Sequence, residues 1–175
     1  MKKNVLIIAF LAIAGLFSTE ATAQKFENKL DKSPADIALY KTKADGVIAK
    51  VIYGRPQLKG RSLSKLAPAG KVWRLGANEA TEIQFFKDVT FGGKSVKAGT
   101  YTMFAIPGAN QWTIILNKAT NVWGAFSYKQ SQDVVRVIAK VSNNSKTLEA
   151  LEIVFSNSGD MYIGWANTVV TVPVK

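Results

Sequence analysis

Between Gly70 and Glu82 the sequence reads GKVWRLGANEATE, which sets Trp73, Arg74, Asn78 and Glu79 close together. Arg, Asn and Glu are rarely buried unless paired, so such a cluster is either a hydrogen-bonded corner of a fold or a binding site. A guanidinium, an amide and a carboxylate beside an aromatic ring suit a glycan or an acidic small molecule, since ligand sites combine apolar walls with a few fixed polar groups. Upstream, Tyr53, Arg55 and Arg61 lie in the same irregular stretch. The chain has only four arginines, Arg55, Arg61, Arg74 and Arg136, and three of them fall here. Lysine carries the general surface charge, so arginines kept in one segment fit planar, bidentate contacts. They either bind a ligand or bond the loop's own carbonyls and Glu79. The second role is favoured, because a long loop in a compact domain must satisfy its backbone groups. An ion pair between Glu79 and Arg74, or another arginine, is expected.

What the chain lacks is equally restrictive. It has no histidine and no cysteine. This removes the commonest general base and metal ligand, every serine–histidine triad, thiol nucleophiles, thiolate metal sites and disulfides. No metal and no cofactor is expected. Gly92-Gly93-Lys94-Ser95 resembles the end of a phosphate loop, but Asp88 stands where the upstream glycine belongs, and a hairpin fits better. Ser62 and Lys65 have an S-x-x-K spacing without the companion motifs of serine acyltransferases. Carboxylates are what is left. Glu79 is the one catalytic alternative, as half of a glycosidase pair. In an extended strand Glu79 and Glu82 point to opposite faces, so a partner such as Asp36 or Asp133 is needed from elsewhere.

These residues sit among segments that alternate and turn as all-β chains do. Expected strands are Asp36–Lys43 and Val47–Tyr53 around Asp45-Gly46, then Ala80–Lys87, then Val89–Phe91 and Ser95–Val96 around Gly92-Gly93. Thr100–Ile106 and Gln111–Asn117 follow. Asp133–Val141 and Thr147–Phe155 are joined by a polar turn at Ser142–Lys146, and Met161–Trp165 and Val169–Val174 close the chain, with Pro173 marking an edge. Gly54–Gly70 is a long irregular loop with one helical turn at Ser62–Leu66. About nine or ten short strands at this spacing predict one antiparallel β-sandwich, jelly-roll or immunoglobulin-like. Phe85, Phe104, Trp112 and Phe155 read as its core.

Met1–Ala23 reads as a cleaved signal peptide: Lys2 and Lys3, the apolar run Val5–Phe17, and the small-x-small site Ala21-Thr22-Ala23. The apolar run is shorter than a membrane span, and no later segment is apolar enough for one. Residues 24–32 are then a polar lead-in and 33–175 the domain, in the periplasm or outside the cell. The formal charge is +11, yet no three basic residues are adjacent. That pattern reads as a solvated basic surface and not as a nucleic-acid interface.

Tyr53-Gly54-Arg55-Pro56, Lys59-Gly60-Arg61, Gly70-Lys71-Val72-Trp73-Arg74, Gly76-Ala77-Asn78-Glu79-Ala80-Thr81 and Ala98-Gly99-Thr100-Tyr101 occur in that order. Together with WTIILN at Trp112–Asn117 and the later Trp123-Gly124, they resemble the secreted bacterial family known as domain of unknown function 2911. The resemblance runs from about Ser33 to the C-terminus. It implies an exported all-β domain of envelope-bearing bacteria and no particular reaction. Ala67–Gly70 departs from the family pattern, which has an aromatic before the glycine. The expected protein is an exported, non-catalytic binding or structural module of the cell envelope. The alternative is a carboxylate-dependent hydrolase of glycans.

Overall fold

A computed structural model describes residues 26–175; the signal-peptide reading of residues 1–23 lies outside the described residues. The chain divides into a segment ending at Leu30 and a compact unit, Asp31–Lys175. Of the first, Phe26–Leu30 is irregular and exposed.

The compact unit is nearly all β. Its strands are β1 (Ala35–Thr42), β2 (Gly46–Gly54), β3 (Glu82–Phe85), β4 (Val89–Phe91), β5 (Lys94–Val96), β6 (Gly99–Ile106), β7 (Gln111–Asn117), β8 (Asp133–Phe155) and β9 (Asp160–Pro173). One helical turn, α1 (Leu63–Leu66), follows Ser62, whose hydroxyl accepts from the Lys65 N–H. Seven strands form one antiparallel sheet in the order β1-β2-β3-β6-β7-β8-β9, and β4 and β5 form a small second sheet, with β4 also bridging the C-terminal end through Phe91 and Val174. The sheet curls. The chain beyond β2 reaches the far half of β8 through Leu58 N–H to Glu149 O at 2.8 Å and Leu151 N–H to Pro56 O at 3.0 Å. Among the described residues no helix is long and apolar enough to cross a membrane.

The alternation read from the sequence sets the faces. Ile83 and Phe85 are buried while Glu82 and Gln84 are partly exposed. Val137 and Ala139 point in and Ile138 points out. The inner face packs three tryptophans: Trp73 stacks on Trp165 at 5.6 Å and meets Trp112 edge-on at 6.0 Å. Phe85, Phe104 and Trp112 are buried as expected, and Phe155 packs partly buried against the core. β6 and β7 are covered on both faces. Their outward residues Phe104 and Ile115 form a second cluster with Val72, Val122, Ala125 and Tyr128.

Two expected boundaries are wrong. Ser142–Lys146 is not a turn but lies inside the 23-residue β8, and Met161–Trp165 and Val169–Val174 merge into β9. The polar residues there mark a bulged bend, with register shifts between Asn143 and Leu148 and between Leu148 and Glu152. A bulge lets the ribbon bend without a turn, and the segment contains no Gly or Pro to end it. Pro173 does close β9, an edge strand.

Candidate functional site

The GKVWRLGANEATE segment is a corner locked by backbone packing. The Thr81 N–H donates to Arg74 O at 3.1 Å, and the Thr81 hydroxyl donates to Leu75 O at 2.9 Å. Closing so tight a corner takes left-handed φ at Leu75 (54°) and Asn78 (61°). Asn tolerates that region well, whereas Leu does so at a cost. Gly54 lies directly against it: a Cβ there would collide with the Ala77 carbonyl, and one at Gly76 would stand 2.8 Å from Thr81 Oγ1. The glycines of the YGRP and RLGANEAT segments are thus two sides of one close backbone approach.

This corner separates the seven candidate residues into two groups. Arg55 donates to the Asp36 carboxylate at 3.0 Å and to Leu151 O at 2.9 Å, tying β1 to the far half of β8. Tyr53 shares the tie: its hydroxyl donates to Asp36 at 3.3 Å and accepts from the Ile153 N–H at 3.1 Å. Burial pushes the Tyr53 phenol up from its ordinary range. Arg61 donates to Leu58 O and Gln57 O at 2.9 and 2.8 Å, so it bonds carbonyls of its own loop. Trp73 is core, and its backbone pairs with Ala105.

Arg74 and Glu79 do not pair; neither takes part in an ion pair among the described residues. The corner closes Arg74 onto Thr81, and the turn at Asn78 carries Glu79 away. The Arg74 Nε is buried without a hydrogen-bond partner, and burial pushes its guanidinium down from its ordinary range.

Tyr53, Asn78 and Glu79 come together at a cavity of about 550 Å3. Ala35, Ile52, Ala77 and Ala80 give it apolar walls, and Asp31, Glu82 and Asn121 join it from other segments. Asp31 accepts from the Ser33 N–H at 2.6 Å and from the Asn78 amide at 3.0 Å. These bonds hold its carboxyl below the usual carboxylate range. Glu82 accepts from the Asn121 N–H at 2.6 Å. Glu79 is exposed at the rim, its backbone paired with that of Trp123.

Glu79 and Glu82 therefore share the cavity, against the expectation of opposite faces. Glu79 lies before β3 begins, so strand alternation does not apply to it. Among the described residues no group of three acidic, His or Cys side chains is placed to hold a metal ion. Asp31 and Asn121 carried no local signal in the sequence. Trp123-Gly124 was visible only as part of a longer motif series.

A family model described as "Protein of unknown function (DUF2911)" matches residues 33–174. The chain belongs to the DUF2911 family. No curated protein and no solved structure matches it. The matched stretch of this DUF2911 chain includes both glycine segments of the corner and all of the cavity's lining except Asp31.

Proposed function

We propose that this DUF2911 chain is an exported, non-catalytic binding module of the bacterial cell envelope, and that its ligand sits in the cavity beside the Asn78 corner. The observation that carries the reading is the cavity itself. Amide and carboxylate groups meet apolar walls there, the composition of a small-ligand site. Export and the cell-envelope address rest on the pattern in Met1–Ala23. Arg55 and Arg61 are committed to structural partners, and three carboxylates line the cavity, so a neutral glycan fits it better than an acidic small molecule.

The thermal shift of the mature chain against a library of glycans and carboxylates tests this. At least one neutral glycan should raise the melting temperature, since a ligand that binds only the folded state stabilises it. Glu79→Ala and the cavity-filling Ile52→Trp should abolish the shift while leaving the unliganded melting point close to the parent's. No stabilisation by any member would overturn the reading.

The presence of Asp31, Glu79 and Glu82 in the lining of one cavity is what favours the second reading, a glycan hydrolase. A general acid needs a carboxyl raised toward neutrality, and the bonds to Asp31 shift it the other way. The hydrolase reading predicts that Glu79→Gln removes turnover with the fold intact.

A further inference from the structure

The loop between β7 and β8 shows two large aromatic faces to solvent. Trp123 is 62% exposed and Phe126 86%, whereas Trp73, Trp112 and Trp165 are buried. The two exposed rings lie nearly parallel, 12° apart in plane, with centroids at 5.8 Å. Scattered exposed apolar residues are ordinary. A parallel pair on a fixed loop is a different case, and this loop is fixed. The Gly124 N–H donates to Asn78 O at 3.0 Å, and the Ala80 N–H donates to Val122 O at 2.9 Å.

The loop also divides its labour. Val122, Ala125 and Tyr128 turn inward onto Phe104 and Ile115, so they supply the packing and the fold does not draw on the outer pair. Gly124, at φ 70°, lets Phe126 lie back over the turn: a Cβ at Gly124 would stand 2.8 Å from that ring. The exposed pair is therefore built into the backbone of the loop.

The pair adjoins the cavity. Asn121, two residues before Trp123, lines it, and the backbone of Trp123 pairs with that of Glu79 on its rim. Aromatic faces carry negative charge density, which attracts the polarised C–H hydrogens of a pyranose ring. The neighbouring amide and carboxylates can take its hydroxyls. An anionic lipid surface would meet Glu79 and Glu82 beside the rings. Lys118 and Lys129, exposed toward the ends of the same loop, oppose a cationic ligand. Mixed charge around two flat apolar faces suits a neutral polyol.

We infer that Trp123 and Phe126 form a stacking platform for a neutral glycan chain, one sugar lying on an outward face of the stacked pair while its neighbour enters the cavity. This rests on the binding-module reading above and assigns its ligand class.

The test is acrylamide quenching of tryptophan fluorescence in the mature chain, with chitohexaose and cellohexaose as probes. Trp123 is the exposed fluorophore, so quenching reports on it. One of the hexasaccharides should protect it. Trp123→Ala and Phe126→Ala should each weaken binding of that hexasaccharide, followed by calorimetry, at least tenfold. Both variants should melt within about 2 °C of the parent, because exposed positions contribute little to stability. Glu79→Ala and Ile52→Trp serve as cavity variants. Loss of binding in both sets supports the platform and the cavity together. Loss in the platform variants alone keeps the platform and overturns the cavity. Loss in the cavity variants alone overturns the platform and keeps the binding module. Neither hexasaccharide binding, or the aromatic pair binding only phosphatidylglycerol vesicles, overturns the inference.

Discussion

At the scale of residues, the polar cluster resolves into a corner and a cavity wall. Gly54 and Gly76 exist for the contact between them, so Gly54→Ala should cost about 2–3 kcal/mol of stability, as overpacking against backbone does. Chemical denaturation measures this, and a variant as stable as the parent would refute the close approach. Arg74 brings a buried, unpartnered Nε. Replacing such a group with an apolar side chain of similar length is close to neutral or stabilising, so Arg74→Met should melt at or above the parent temperature. A large loss would reveal a bond that the geometry lacks. The sequence made the cluster visible and made a structural role for the arginines the better expectation, and Arg55 and Arg61 do bond carbonyls. It hid the division of labour. The partners of Gly54 and Asp31 lie far along the chain, and no local spacing encodes such contacts.

At the scale of elements, period-two alternation made most strands legible, because one face of each is buried. It failed where composition imitates a turn. Asn143-Asn144-Ser145-Lys146 is polar because the bent ribbon of β8 is exposed there, and exposure and turning leave the same trace in a sequence. The loop after β7 shows how one element is held in place. The Tyr128 hydroxyl donates to Asp133 at 2.7 Å, and Asn117, fully buried, also donates to Asp133, at 2.8 Å. Burial, and then the bond to Asp133, push the Tyr128 phenol up to about 12, from an ordinary 10.0. Between these values the unfolded chain releases the proton and the folded chain keeps it. The contribution to stability is thus complete below about pH 10 and lost as pH rises toward 12. Melting temperature should fall across that window, and Tyr128→Phe should show a smaller fall. An equal fall in both proteins would remove Tyr128 from the account.

At the scale of the whole molecule, a chain with formal charge +11 presents carboxylates at its cavity and two aromatic rings beside it. The basic surface is dispersed, and the proposed ligand is neutral. Binding of the glycan should therefore change less than about twofold between 50 mM and 500 mM salt, whereas an anionic ligand would be screened away over that range. The absence of histidine and cysteine had already narrowed the chemistry of the polar cluster to guanidinium, amide and carboxylate groups. The geometry then engages two of the three cavity carboxylates in hydrogen bonds. In the proposed function the cavity binds without reacting. Prolonged incubation of the mature chain with the glycan that stabilises it, followed by mass spectrometry of that glycan, tests this most directly. The account predicts saturable binding and a glycan recovered intact. Shortened products that disappear in Glu79→Gln would contradict it.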